Sequence, residues 1–255
     1  MAGTLPASRL TVRTREPTGA DELFVLECAD SPQRAMCKLA RRLIADAEGE
    51  PLVWADLPAV DLAAAALLIR SVWIGGTIRA EARCPADDCG GESDIAFTVD
   101  AYLDHRRPRA YRGASEDDDW YQLSGAGVRF RVPTVADLEA SAGAVAAAVA
   151  LASSCIRPAA PDAATLRRVE RALQAIAPPL DGVVAGACPL CGANVQLWFS
   201  PIEFVLDELA GVSSGLFDDV HELARAYHWG EDEILRLERR RRRGYVELIR
   251  AELVA

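Results

Sequence analysis

Residues 77–99, TIRAEARCPADDCGGESDIAFTV, and residues 183–199, VVAGACPLCGANVQLWF, decide how this chain is read. In each, apolar and polar residues alternate on both sides of a cysteine turn, the period of a half-buried strand. Thr77 to Arg83 and Ser93 to Val99 therefore predict one hairpin around the Cys84 to Cys89 turn. A strand from Val183 to Cys188 and another from Asn194 to Phe199 predict a second hairpin around Cys188 and Cys191. The hairpins repeat each other: Cys84-Pro85 matches Cys188-Pro189, Cys89-Gly90 matches Cys191-Gly192, and Phe97 and Tyr102 correspond to Phe199 and Phe204. The turns differ in length, Pro85 to Asp88 against Pro189 and Leu190.

Two Cys-Pro turns with a following glycine supply four thiolates from two tight loops, the donor set of a tetrahedral zinc site. Cys84, Cys89, Cys188 and Cys191 are thus the candidate ligands of one structural Zn2+. A four-cysteine site is closed and leaves no position for water or substrate, so no chemistry follows from it. The long interval between the turns is tolerable, because loop-closure entropy grows only logarithmically with length. Two plainer readings stand beside this one: a redox Cys-x-x-Cys at Cys188 and Cys191, and cysteines that are merely small buried residues. The presence of a second, repeated pair favours metal. Cys28, Cys37 and Cys155 lie on helical patterns without partner spacing and read as core.

Outward from the hairpins, 255 residues that are 51% apolar are enough to bury a sizeable core. A formal charge of −10 argues against a chain built to coat nucleic acid. No secretory h-region opens the sequence and no apolar run reaches membrane-spanning length, so a soluble, cytoplasmic protein is expected.

Residues 1–20 read as a flexible N-terminus and 21–75 as a helical segment, with helices at Leu23 to Leu26, Arg34 to Ile44 and Val60 to Val72. Residues 76–132 hold the first cysteine hairpin, a solvated loop from Arg106 to Asp119 and a short strand from Val128 to Val132. Residues 133–179 read as an inserted helical hairpin, a long Ala-rich helix to about Ser153 and a second helix from Asp162 to Ile176. The second cysteine hairpin occupies 180–203. Residues 204–255 are helical, breaking at His228-Trp229-Gly230 and ending in a basic helix from Arg239 to Leu253. The expected class is α+β: a small split zinc-ribbon-like unit surrounded by helices.

No nucleophile elbow, phosphate-binding glycine loop or dinucleotide fingerprint is present, and the histidines His105, His221 and His228 lack metal-pair spacing, so no enzyme is expected. The acidic run Glu116 to Asp119 lacks the pattern of a calcium loop and reads as a solvated charge run. The arginines 239–243 are largely neutralised by Glu231, Asp232, Glu233, Glu238, Glu247 and Glu252, which argues against nucleic acid as a partner.

The stretch Asp218 to Leu235, the arginines and Tyr245-Val246-Glu247-Leu248-Ile249 after it, Arg129 to Leu138 and the paired Cys-Pro turns together resemble the T4-like baseplate (hub assembly) family of contractile phage tails and phage-tail-like contractile injection systems. That resemblance implies a structural or chaperone-like assembly role, no catalytic residues, and baseplate or tail proteins as partners. The six-residue turn from Cys84 to Cys89 is longer than a standard knuckle, and residues 1–18 fall outside the resemblance. Aromatic and arginine anchors favour protein interfaces, so Tyr227, His228, Trp229, Ile234, Leu235, Arg239, Arg240 and Tyr245 are the candidate partner-binding residues. The alternative function is a zinc-ribbon nucleic-acid-binding regulator using Arg239 to Arg243, and an oxidoreductase through Cys188 and Cys191 is third.

Overall fold

The computed structural model describes residues 1–142, 146–159 and 161–254. The first half of the chain runs β1 (Ala2–Thr4), β2 (Thr11–Thr14), α1 (Gly19–Glu27), α2 (Pro32–Leu43), β3 (Ile44–Asp46), α3 (Ala59–Trp73), β4 (Thr77–Arg83), β5 (Glu92–Thr98) and α4 (Val99–His105). After β6 (Ala114–Asp117), the second half repeats that order with β7 (Trp120–Leu123), β8 (Val128–Phe130), α5 (Val135–Ser141), α6 (Ala147–Cys155), β9 (Ile156–Arg157), α7 (Ala163–Ile176), β10 (Gly182–Ala187), β11 (Asn194–Phe199) and α8 (Pro201–Ser213). Three helices close the chain: α9 (Leu216–Tyr227), α10 (Glu231–Leu235) and α11 (Arg239–Val254). The class is α+β.

The repetition holds at the level of register. Arg13 pairs with Ala45 and Thr14 with Ile44 across β2 and β3, and Arg129 pairs with Arg157 and Phe130 with Ile156 across β8 and β9. The amide of Arg15 donates to the Leu43 carbonyl at 3.0 Å, and that of Arg131 donates to the Cys155 carbonyl at 2.9 Å.

One heptapeptide explains why both halves turn from strand to helix in the same way. Arg15-Glu16-Pro17-Thr18-Gly19-Ala20-Asp21 recurs as Arg131-Val132-Pro133-Thr134-Val135-Ala136-Asp137. Proline ends the strand and cannot continue the ladder. The threonine precedes the helix, and the aspartate in the first turn accepts from the threonine amide and hydroxyl, at 2.9 and 2.9 Å in the first copy and 2.8 and 3.0 Å in the second. The arginine then grips that carboxylate with two nitrogens, at 2.8 and 3.0 Å in the first copy and 2.5 and 2.7 Å in the second.

Each helix start is further bridged, antiparallel, to the start of another helix. Gly19 N–H donates to the Leu237 carbonyl and Arg239 N–H to that of Pro17, which joins α1 to α11. Val135 N–H donates to the Leu57 carbonyl and Ala59 N–H to that of Pro133, which joins α5 to α3.

Helix α3 is the centre of the larger core. Every residue from Asp61 to Arg70 is buried, with Trp54, Met36, Leu39, Val205 and Leu209 packed around it. A helix that is apolar on all sides requires this. Its one early acid, Asp61, accepts from the Ala7 and Ser8 amides at 2.8 and 2.9 Å. The second half has a smaller core of Leu123, Val128, Phe130, Ile156, Val169 and Ala172.

Four expectations are corrected here. Residues 1–20 are not flexible: they form β1, β2 and the start of α1, with Leu5 and Val12 fully buried, because β2 must pair with β3 and cover α3. Residues 133–179 are not an insertion into a ribbon but the front of the second repeat, since β8 and β9 flank α5 and α6 and pair with each other. The long Ala-rich helix is two helices with Ala146 non-helical between them, and residues 143–145 of that span lie outside the described residues. The loop from Arg106 to Asp119 contains β6, an exposed edge strand in the order β6-β7-β8-β9, whose outward side chains gave no burial period. No described helix is long and apolar enough to cross a membrane.

The Arg131 guanidinium holds the Asp137 carboxyl well below the usual carboxylate range. A folded-state pKa below the unfolded one stabilises at pH above the unfolded value, about 3.9, and the gain is lost as pH falls through and below it. Asp137→Asn is therefore expected to lower stability by on the order of 2–3 kcal/mol at neutral pH. In denaturant melts across pH, the difference from the unsubstituted chain should shrink as acid protonates Asp137; a constant difference would mean that the ion pair contributes nothing.

Candidate metal centre

The strands of each cysteine hairpin carry their turn to the same place from opposite halves. The ladder of β4 and β5 pairs Arg83 with Glu92, and Cys84 N–H donates to the Gly91 carbonyl at 2.8 Å. The ladder of β10 and β11 pairs Ala187 with Asn194, and Cys188 N–H donates to the Ala193 carbonyl at 2.8 Å. Each first cysteine is thereby fixed at the last rung. Each second cysteine is followed by a glycine in the left-handed region, Gly90 at φ 56° and Gly192 at φ 75°, where a side chain would strain the turn.

The four Sγ atoms lie within 4.8 Å of one another. Cys84 Sγ is 3.6 Å from Cys191 Sγ, and Cys89 Sγ is 3.8 Å from Cys188 Sγ. Exchanging first cysteine for first and second for second converts one contact into the other, as a local two-fold relation between the hairpins demands. Four sulfurs at ~2.3 Å from one ion at tetrahedral angles are ~3.8 Å apart. The donor set fits a metal ion, held equally by both halves.

The electrostatics are unequal around the cluster. The amides of Cys191 and Leu190 hold the Cys188 thiol down at about 6. Ser93 is buried nearby and its hydroxyl has no hydrogen-bond partner among the described residues. The Ala86 amide pulls Cys84 the same way, but burial and the three neighbouring sulfurs push it up to about 12. Cys89, drawn down by the Gly91 amide, is raised overall by Cys191 and by burial. Four adjacent thiols cannot all ionise unaided; a cation at their centre removes the conflict.

Beneath the sulfurs, Ile95 and Val195 close a small apolar cluster. Below that, the aromatics that follow each hairpin meet: Phe97 lies 5.2 Å from Tyr102 and 5.3 Å from Phe199, and Phe199 lies 5.2 Å from both Tyr102 and Phe204. The matched positions of the repeat are thus one packed quartet, edge-to-face at most contacts. It joins the cysteine end to the α3 core.

The remaining cysteines do not converge. Cys37 and Cys155 are buried, and burial raises both thiols; Cys28 is half-buried and contacts Asp30.

The expected partner-binding residues divide. Ile234 and Leu235 are core, and Arg239 is drawn inward, its Nε 2.6 Å from Glu22. The cause is Glu22 of α1, 1% exposed, whose carboxylate is also held by Arg242, itself bound to Asp219 at 3.2 Å. Gly19 permits this closeness, since a Cβ there would sit 2.9 Å from the Leu235 Cα. Tyr227, His228 and Arg240 are exposed. Trp229 and Tyr245 are half-buried; Trp229 stacks on Tyr227 at 4.9 Å and meets Tyr245 edge-on at 5.1 Å. His228 caps α9 in the left-handed conformation.

From sequence, Glu22, Asp21 and Asp137 carried no role of their own, and Arg242 counted only as one of the basic run Arg239 to Arg243. The recurring heptapeptide was the available signal for Asp21 and Asp137. Compared with protein-family models, with curated proteins and with solved structures, the chain matched none.

Metal analysis of the purified chain is expected to give about one ion per chain, lost alike in Cys84→Ser and Cys188→Ser. Unchanged metal content in Cys84→Ser would separate the turns. After metal removal, a mild thiol oxidant is expected to link Cys84 to Cys191 and Cys89 to Cys188, read by peptide mapping. A dominant Cys188–Cys191 bond would contradict the geometry.

Proposed function

We propose that this chain is a non-enzymatic structural or chaperone-like protein for assembling the baseplate or tail of a contractile phage tail or contractile injection system, with a split, zinc-ribbon-like site as its internal staple. The observation that carries the staple is the meeting of four thiols at one point from two halves of the chain. Soft, all-sulfur tetrahedral coordination suits Zn2+, which has no redox chemistry of its own. The assembly role rests on the resemblance of Asp218 to Leu235, Arg129 to Leu138 and the Cys-Pro turns to the baseplate family. The partners are tail or baseplate proteins met in the cytoplasm, and the exposed edge of the Tyr227, Trp229 and Tyr245 cluster is the contact surface.

The regulator reading is weakened by the fate of the arginine run. Arg239 and Arg242 are committed to Glu22 and Asp219, so only part of the run faces outward. The oxidoreductase reading is weakened because the close sulfur contacts run between turns.

The test is affinity isolation of the tagged chain from its native host while the contractile system is being made. Tail or baseplate proteins should be recovered, and Tyr227→Ala with Tyr245→Ala should lose them while keeping metal and melting temperature. Recovery of none of these proteins, or salt-sensitive retention of nucleic acid instead, would sink the reading. Truncation after Gly215 is expected to unfold the first half, because Glu22 would lose both arginines and stay buried and unpaired, on the order of 3–5 kcal/mol. A truncated chain that melts like the whole one would show the C-terminal helices to be a detachable module.

A further inference from the structure

The two bridged helix starts are equivalents, so the clefts beside them are equivalents too, and they differ in chemistry. Through the bridges, Leu237-Glu238-Arg239 corresponds to Leu57-Pro58-Ala59. By the same register Arg240 stands where Val60 stands, and Arg243 where Ala63 does. Beside α5, a cleft of about 310 Å³ is walled by Val60, Ala63, Val132, Pro133 and Leu138. Its counterpart beside α1, about 590 Å³, is walled by Glu16, Pro17, Trp73, Arg240, Arg243 and Glu247, with Arg239 behind them and Gly244 adding no side chain.

The arginines of this second cleft are more than fold maintenance requires. Glu22 and Asp219 are used by Arg239 and Arg242. Arg239 also donates to the Trp73 and Val212 carbonyls. Among the described residues, Arg240 has no carboxylate partner, and Arg243 donates only to the Val212 carbonyl at 3.2 Å. These charges sit in the first turns of α11, which has no acid in its first turn. That end of a helix already carries partial positive charge, so cations there oppose the dipole by roughly 0.3–1 kcal/mol each. An anion in the cleft relieves both the dipole and the mutual repulsion. The wall residues of the apolar counterpart show that the scaffold does not need arginine at these places.

We propose that the cleft between the Glu16–Pro17 segment, the C-terminal end of α3 and the first two turns of α11 binds a phosphate-class oxyanion through the guanidinium groups of Arg240 and Arg243. Arg239, pinned by Glu22, positions the helix behind them. Guanidinium groups match the planar pairs of phosphoryl oxygens. Glu16 and Glu247 line the same cleft and oppose a second phosphoryl group, while its about 590 Å³ leaves room for a substituent on the first. The site depends on neither the thiol cluster nor the assembly role.

The experiment is calorimetric titration of the full-length, metal-loaded chain with inorganic phosphate, at ionic strength fixed with chloride, with tryptophan emission followed in parallel because Trp73 lies in the wall. Saturable binding is expected. Arg240→Gln with Arg243→Gln, both at exposed positions, should weaken it at least about tenfold, and Glu247→Gln should tighten it several-fold. A nucleoside 5′-monophosphate in a second arm separates the sources: equal affinity assigns free phosphate, and tighter binding assigns a nucleotide. The proposal is overturned by the absence of a saturable response, or by binding that the double substitution leaves unchanged.

Discussion

A carboxylate clamped at a helix start by an arginine six residues before it is the constraint on which each half depends. Arg15 with Asp21, and Arg131 with Asp137, fix the angle at which a short strand hands over to a helix. The same arginine's backbone amide closes the sheet, at the Leu43 and Cys155 carbonyls. Strands of two to four residues have too few ladder bonds to define their own direction. The clamp defines it for them, which is why Asp21 is wholly buried and still charged: Arg15, Arg42 and the Thr18 amide and hydroxyl replace the water it has lost.

The halves meet in three layers: sulfur, then aliphatic, then aromatic. The ring quartet joins this end of the molecule to the α3 core, while the sulfurs at the rim set the relative orientation. Two equivalent hairpins met by a local two-fold relation explain why neither cysteine pair alone makes a site. They also explain why about a hundred residues separate the pairs: the interval is not an insertion but the front of the second repeat.

Much of this was legible and some was not, for physical reasons. The cysteine strands could be read because both faces differ, one against Ile95 and Val195 and one to solvent. The helical segment up to the break at His228-Trp229-Gly230 could be read because the apolar residues of α9 keep a 3.6-residue period. The metal cluster follows from spacing. The first sheet was missed because β1 and β2 offer three and four residues and a Pro- and Arg-rich setting, too short a window for any period. The recurrence of Arg-x-Pro-Thr-x-Ala-Asp lay in plain view, but the loops before it differ, Leu5 to Leu10 against Ser124 to Gly127, and the elements after it drift in length, so composition hid the duplication. Ile234 and Leu235 read as interface anchors because nothing local reveals that a buried Glu22, far away in sequence, holds the next helix, α11, inward behind them.

The helix-start bridges also impose an order on the growing chain. The second half finds its bridging partner, Leu57 to Ala59, already synthesised when Thr134 emerges. The first half does not: Thr18 waits for Glu238, and the Glu22 carboxylate waits for an arginine 220 residues downstream. The part of the protein made first is therefore the last to be finished, and a chain interrupted between Cys191 and Arg239 holds a complete set of cysteines beside an α1 surface that still lacks its cover, open to whatever binds nascent apolar surface in the cell.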